Sequence, residues 1–487
     1  RFVIKAHIMA STNVKEMFDT HSFPLPDGYS HALCANIAGW TYAQLPSPVV
    51  RNVKALILDT LGVIGGAAQA PGIAELNTRL SKWEYTGSAT GLIGRRRYSP
   101  PTAAMANGAA AHALDFDDQH DPARVHTSAV VLPTLLATAE DLAANGKPVS
   151  GADFILAYAV GAELHARFGL ACFNSLGKGW HPTMVFGTVS ACVAAAKMMG
   201  LDAAGIAHAL GMAFHQASGS AQSMRDGALS KRLGPGFAAR NAVTGVFLAA
   251  DGLTSTRATL EGNAGLFTLY ERNEVKPELL TRGLGSDWRV AEYSFKPYPC
   301  CRCNHTPIGI GIQMHQQGIK PADVAAIEVG MGNVNWLTVG APYDPARNDV
   351  VHAQFNTSYS FARALADGKV DLHSYRKPAI TDSAIAAITA ITRVVDDPAI
   401  DPTAIEPARV KLTLKNGNVV ELKRDTIKGS PQDPMNDAEM RSKVRGCLEF
   451  GIGATAADVD RLADVVASLQ TSGDAAKSIR EAFPQTK

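Results

Sequence analysis

This 487-residue chain predicts a mainly α protein with an α+β second domain, and three observations carry that reading. From Pro46 to about Ala250, apolar Ala- and Gly-rich segments of helical length follow one another, punctuated by Gly, Pro and Asn. Beyond Trp288 the texture changes, and the stretches starting at Val324 and Val410 alternate apolar and polar residues as strands do. From Asn436 onward the pattern is helical again. The predicted architecture is a large all-helical domain plus a smaller inserted α/β lid domain.

The helical domain is expected over 13–291, with helices near 53–66, 103–114, 129–145, 154–168, 184–200, 203–217 and 237–252. Many of their faces carry Ala and Gly, so neighbouring helices can approach closely. Glycine-rich stretches such as Ser230-Lys-Arg-Leu-Gly-Pro-Gly read as loops suited to a ligand. The lid is expected over 292–430, with a hairpin turned at Asn416-Gly417. The tail, 431–487, opens with a capping box, Asn436-Asp-Ala-Glu439, and is expected to return to the helical domain. Residues 1–12 read as an added leader and a disordered start, with a native beginning at Met9.

Charge narrows the function classes. Lys plus Arg total 46 against 45 Asp plus Glu, so no global field favours nucleic acid as a partner. No apolar run reaches membrane-span length, so no membrane partner is expected. The seven cysteines are odd in number and clustered at Cys300, Cys301 and Cys303, which reads as a reducing, cytoplasmic setting.

Chemistry concentrates between His112 and His126. Asp115, Asp117, Asp118 and Asp121 share this short segment with His112, His120 and His126, at the end of a helix otherwise built from small residues. Asp117-Asp118-Gln-His-Asp121 has the aspartate-rich spacing used to hold magnesium, but Pro122 ends the helix that such spacing needs, and no second acidic motif accompanies it. The cysteine run with His305 lacks paired zinc-ligand spacing. Gly330-Met-Gly332 lacks the third glycine of a dinucleotide loop, with Asn335 in its place, and no suitable helix is expected to follow it. No metal and no cofactor are therefore expected. His181, before Pro182, and His126, before Thr127-Ser128, sit at predicted helix starts where the dipole favours anions. With Lys231 and Lys296 they describe a site for a small polycarboxylate, if the chain brings them together.

On these residues the chain resembles the MmgE/PrpD family of 2-methylcitrate dehydratases, cis-aconitate decarboxylases and iminodisuccinate epimerases. The resemblance spans nearly the whole chain. It runs through Asn107 to Asp118, His126 to Pro133, Gly179-Trp-His-Pro-Thr, Ser230 to Asn241, Lys296-Pro-Tyr-Pro-Cys-Cys, Phe355-Asn-Thr-Ser-Tyr and Gly429-Ser-Pro-Gln-Asp-Pro. It implies a homodimer with its site between the domains, and it puts Asp115, His126, His181, Lys231 and Lys296 on the family's active-site positions. Gln119, His120, Cys301 and His305 fall beside them as substrate-binding candidates. The stretch from Asp115 to His126 is one residue longer than in the decarboxylases, Cys301 stands where they have a histidine, and no tyrosine between Thr338 and Tyr343 matches their lid tyrosine clearly.

These departures favour a cofactor-independent dehydratase (hydro-lyase) acting on a hydroxy-polycarboxylate such as 2-methylcitrate or citrate. A decarboxylase, an epimerase and a catalytically silent binding subunit stand as alternatives. In the dehydratase reading His126, oriented by Asp115, removes the Cα proton, His181 assists hydroxide departure, and the two lysines hold carboxylates. The base and acid labels are exchangeable.

Overall fold

Two glycines decide how the helical domain closes. The computed structural model describes residues 28–83 and 86–485, so the expected leader lies outside the described residues. The helices that build the domain are α1 (Tyr29–Ala38), α2 (Ser47–Gly66), α3 (Ile73–Trp83), α4 (Pro100–His112), α5 (Ser128–Ala144), α6 (Gly151–Ala171), α7 (Pro182–Met198), α8 (Ala203–Phe214) and α9 (Ser230–Ala250). Prolines in the first turn start α2, α4 and α7, where the missing N–H has no helical partner to lose.

At the crossing of α4 and α9, a Cβ on Gly236 would stand 2.4 Å from the carbonyl oxygen of Met105, and one on Gly108 would stand 3.0 Å from Gly236 Cα. Only glycine permits that approach. The stretch from Ser230 to Gly236, expected as a loop, is therefore the opening of a 21-residue helix. Its glycines serve helix contact, and Pro235 lies inside the helix, where it lacks the N–H that would bond the Lys231 carbonyl. The correction matters, because it carries Lys231 on a rigid element towards the end of α4.

The lid follows two short antiparallel pairings, β1 (Ala89–Gly91) with β2 (Arg96–Tyr98) and β3 (Gln119–His120) with β4 (Tyr293–Ser294). It contains α10 (His305–Gln316), β5 (Val324–Met331), α11 (Asn333–Val339), α12 (Val350–Gln354), α13 (Thr357–Asp367), α14 (Ser383–Ala390), β6 (Thr392–Asp396), β7 (Ala408–Leu414) and β8 (Val419–Arg424). The sheet order is β6-β5-β7-β8, with β5 and β6 parallel and the others antiparallel. Asn416-Gly417 turns the β7–β8 hairpin, and Gly417 takes a φ of 87° that suits glycine. A helix does follow Gly332, but Asn335 on it donates to the carbonyls of Ala404 and Ile405, a bracing role.

Among the described residues two hydrophobic cores result. One lies within the lid and includes Ile308, Val329, Phe361 and Val410. The other joins the helical domain to the C-terminal helices α15 (Asp437–Ile452), α16 (Ala456–Ala467) and α17 (Ala475–Ala482), from Leu33 through Leu448 to Phe483. The expected capping box at Asn436 and Glu439 is present and opens α15. Chain passages between the domains lie side by side: Phe295 donates its N–H to Gly429 O at 2.8 Å. A Cβ on Gly429 would meet Phe295 O at 1.9 Å, and its φ of 89° also calls for glycine. Among the described residues no single helix is long and apolar enough to cross a membrane.

Candidate active site

Where α4 ends, the backbone turns sharply: Asp115 adopts φ 51°, a left-handed conformation uncommon outside glycine. That turn sends successive side chains in different directions. Asp115 meets Lys231, whose ammonium donates to its two carboxylate oxygens at 2.9 and 3.0 Å. The same ammonium lies 3.1 Å from His112 Nε2, and His112 Nδ1 lies 2.7 Å from Asp117 Oδ2. Lys296 donates to the Asp115 carbonyl at 2.9 Å and stands 3.9 Å from both Asp115 Oδ1 and Asp117 Oδ1. All of these groups are buried. Two carboxylates thus face two ammonium groups out of contact with bulk water, where charge interactions are strong.

The imidazoles complete the cluster. His126 hydrogen-bonds through Nδ1 to Asp118 O at 2.8 Å, which makes Nδ1 the protonated nitrogen and leaves Nε2 with a lone pair. Its backbone N–H donates to Thr183 Oγ1 at 3.0 Å, which ties it to the start of α7, where His181 is the cap residue. The His112 ring lies 5.0 Å from that of His126 and 6.3 Å from that of His181, centroid to centroid. His181 Nδ1 is buried without a hydrogen-bond partner.

Electrostatics sort the ionisable groups. Burial opposes ionisation of Asp115, but Lys231, Lys296 and His112 outweigh it and hold the carboxyl well below its usual range. Asp117 is likewise held down against burial by His112, His126 and Lys296. Burial drives His126 down to about 3, the nearby lysines adding to the effect and Asp117 opposing it. Burial, with Lys231 next, pushes His181 well below the ordinary imidazole value. Asp118 moves the other way: burial, reinforced by Asp117 and Asp59, lifts it to about 7 against the Ser128 hydrogen bonds.

The structure brings together five sequence-predicted residues, Asp115, His126, His181, Lys231 and Lys296. It corrects one expected pairing: His126 is oriented by the Asp118 carbonyl, with Asp117 3.5 Å away, while Asp115 is taken by Lys231. Gln119 and His120 are drawn out of the cluster by the β3–β4 pairing. Gln119 donates to Asp121 at 3.0 Å, and His120 uses both ring nitrogens, accepting from Ala123 N–H and bonding Glu292, each at 3.2 Å. His305 is also committed to structure, between Cys300 O at 3.3 Å and Arg302 at 3.5 Å. Cys301 is partly exposed, its N–H given to Gln354 O, and Asp115 and Lys296 are close enough for their charges to act on its thiol. Tyr343 donates to Ile380 O at 2.7 Å and stacks on His352, so it does not reach the cluster.

The aspartate-rich motif is dispersed: Asp117 turns to the histidines, Asp118 to Ser128 and Asp121 to Ser294 and Arg302. A different trio, His112, Asp117 and His126, holds ligand-type atoms within 4.8 Å of one another. Lys231 and Lys296 already supply positive charge there, and a dication would meet both ammonium groups at close range.

A cleft of about 1420 Å³ separates the lid from the helical domain, lined by Phe173 and Met224 on one side and by Leu337 and Phe355 on the other. Lys231, Lys296, His112, His126 and His181 do not line it. Phe355 does, and its ring centroid is 4.9 Å from the Lys231 ammonium, so this ring stands between cleft and cluster. Sequence reasoning left His112, Asp117, Gln354 and Phe355 without roles. For His112 and Asp117 a signal was present, as ionisable groups at the end of an alanine-rich buried helix.

Comparison with known proteins agrees in extent with this two-part structure. The MmgE/PrpD N-terminal domain matches residues 31–278, and the MmgE/PrpD C-terminal domain matches residues 298–469. The cis-aconitate decarboxylase-like protein oryM of Aspergillus oryzae is 28% identical over 474 residues, covering 92% of this chain and 96% of that protein. The cis-aconitate decarboxylase of Aspergillus terreus is 34% identical over 289 residues, 58% of this chain and 59% of its own length. The human cis-aconitate decarboxylase is 28% identical over 425 residues, covering 84% of this chain and 85% of its own.

Proposed function

This chain belongs to the MmgE/PrpD family, and from that premise we propose that it is a lyase that decarboxylates an unsaturated tricarboxylate of the cis-aconitate type. The decarboxylase names of its relatives favour this reading over the dehydratase expected from sequence. The observation that carries it is the meeting of two buried ammonium groups with two uncharged imidazoles around Asp115.

In the proposed reaction the bond to the departing carboxylate breaks and its electron pair forms a new double bond. The old double bond's pair moves to the carbon beside another carboxylate, carbon dioxide leaves, and that carbon takes one proton. Negative charge develops where Lys231 and Lys296 stabilise it. A substrate bearing several carboxylates raises the proton affinity of His126 and His181, so that one of them becomes the donor. The chain Asp117–His112–Lys231 links a carboxylate, an imidazole and an ammonium, and can resupply that proton.

Dehydration of a hydroxy-polycarboxylate is the second reading, favoured by the free Nε2 of His126, a base held ready to abstract a proton. The deciding experiment incubates the protein separately with cis-aconitate, citrate and 2-methylcitrate while carbon dioxide and new alkene are followed. Carbon dioxide from cis-aconitate is the expected result. Alkene from the hydroxy acids without carbon dioxide would install the second reading, and no product from any of them would leave a binding subunit. Assembly as a homodimer is proposed with this function, and light scattering in solution tests it.

A further inference from the structure

Three successive carbonyls follow the end of α4, and each accepts a hydrogen bond from a buried side chain of a different part of the chain. Leu114 O accepts from Gln354 Nε2 at 2.8 Å, Asp115 O from Lys296 Nζ at 2.9 Å, and Phe116 O from Lys443 Nζ at 2.8 Å. Gln354 ends α12 of the lid, Lys296 begins the link into it, and Lys443 sits on α15 of the C-terminal return. Carbonyls at a helix end usually turn to water or to a capping residue. Here the whole fold converges on them.

The middle residue explains why. Asp115 holds φ 51°, and such a conformation in a non-glycine residue persists only where its surroundings over-determine it. Gln354 is well placed to do so. It is 2% exposed, and its side-chain amide nitrogen donates to Pro299 O at 2.9 Å as well as to Leu114 O, while its main-chain carbonyl accepts from Cys301 N–H and Asn304 Nδ2, both at 3.0 Å. The next residue, Phe355, covers Lys231, the partner of the Asp115 carboxylate. One short piece of the lid therefore touches both halves of the Asp115–Lys231 pair, one through the backbone and one through a ring.

We propose that Gln354 is a positioning residue through which a docked lid holds the Leu114–Phe116 backbone so that Asp115 aims its carboxylate at Lys231. Its catalytic consequence rests on the reading of Asp115 and Lys231 given above; its structural consequence does not. With the lid in place the pair is fixed. With Gln354 withdrawn, Leu114 O loses its donor and Asp115 its restraint.

The test compares Gln354→Met, which keeps length but cannot donate, with Gln354→Glu, which donates only when protonated. For Gln354→Met the expected result is a melting temperature close to wild type and amide exchange across 112–118 faster by about tenfold or more. Turnover should fall roughly ten- to a hundredfold at little-changed KM, the size expected when reacting groups are misplaced by about an ångström. Gln354→Glu should regain turnover as the pH is lowered, relative to both wild type and the methionine variant. Unchanged exchange across 112–118 overturns the proposal, as does faster exchange with undiminished turnover. Should Gln354→Met not fold, the pH profile of Gln354→Glu decides alone, and a profile parallel to wild type overturns the proposal. Should wild type turn over no polycarboxylate, the exchange data still decide the positioning role, and only the functional reading fails.

Discussion

The two ends of the acidic run from Asp115 to Asp121 look alike in sequence and do opposite things in the fold. At the first end, Asp115 and Asp117 are ionised against Lys231, Lys296 and His112. At the other, Asp121 accepts from Ser294 Oγ at 2.6 Å and pairs with Arg302 at 3.3 Å, joining the helical domain to the lid. The change occurs at Gln119–His120, where pairing with Tyr293–Ser294 imposes strand alternation. The same residue types thus make a site where they meet Lys231 and Lys296 and a domain joint where Asp121 meets Arg302.

The largest expected effect separates the two ends by activity. Lys231→Met is expected to lower kcat/KM by roughly a hundredfold or more, because a charge-assisted contact to the developing anion is lost. Arg302→Met removes one partner of a buried pair, so it is expected to cost about 3 kcal/mol of stability while kcat at low temperature falls less than about tenfold. Steady-state kinetics beside denaturant melts check both. Equal kinetic losses in the two variants would erase the distinction.

The histidines sharpen the same comparison at a smaller scale. His126→Gln removes the free Nε2 beside the cluster and is expected to slow turnover by about 10²-fold, the rate at which solvent deuterium enters the product falling with it. His120→Gln disturbs only bonds to Glu292 and Ala123, and is expected to keep turnover within about threefold while losing about 1 kcal/mol of stability. Turnover in His126→Gln that stays within about threefold of wild type would move the proton-transfer role to His181.

Which parts were legible follows from the range of the forces involved. Helix existence, the Asn416-Gly417 hairpin and the capping box at Asn436 depend on neighbours in sequence, and all three appear in the structure. The convergence of Asp115, His126, His181, Lys231 and Lys296 was carried by resemblance, since residues spread over 115–296 leave no local trace of contact. The Ser230–Gly236 stretch was misread because glycine serves both loops and close helix crossings, and only the partner helix, with Gly108, distinguishes them. Assigning Asp115 to His126 failed for a related reason: nearness in sequence suggested the pair, but the left-handed turn at Asp115 points its carboxylate to α9. Gln354 was invisible because its role is a single bond across the domain boundary.

Within the acidic end, Asp118 offers a test on stability rather than rate. Its carboxyl is raised to about 7, chiefly by burial, so the folded protein holds the proton more tightly than the unfolded chain does. That contribution is fully present below the unfolded value of about 4 and is lost as pH rises through 7. Asp118→Asn imitates the protonated form. The difference in melting temperature, variant minus wild type, is therefore expected to grow between pH 4 and 7 and to level off above. Imidazoles buried in uncharged form, such as His165, also lower stability in acid, but they act on both proteins and cancel in the difference. A difference independent of pH would show that Asp118 ionises normally.

The smallest expected effect concerns metal. His112, Asp117 and His126 offer ligand-type atoms within 4.8 Å, the one arrangement among the described residues that a cation could exploit. Two features argue that the site works by ammonium groups instead. The His112 Nδ1 and Asp117 Oδ2 atoms are already hydrogen-bonded at 2.7 Å, and His126 Nδ1 is committed to Asp118 O. A dication would also sit near Lys231, 3.1 Å from His112 Nε2, and Lys296, 3.9 Å from Asp117 Oδ1, with like-charge repulsion strengthened by burial. Exhaustive chelation followed by metal-free assay is thus expected to leave kcat/KM unchanged. Loss of activity restored by one divalent metal would make the trio a metal centre, and would give the lysines to the substrate's carboxylates alone.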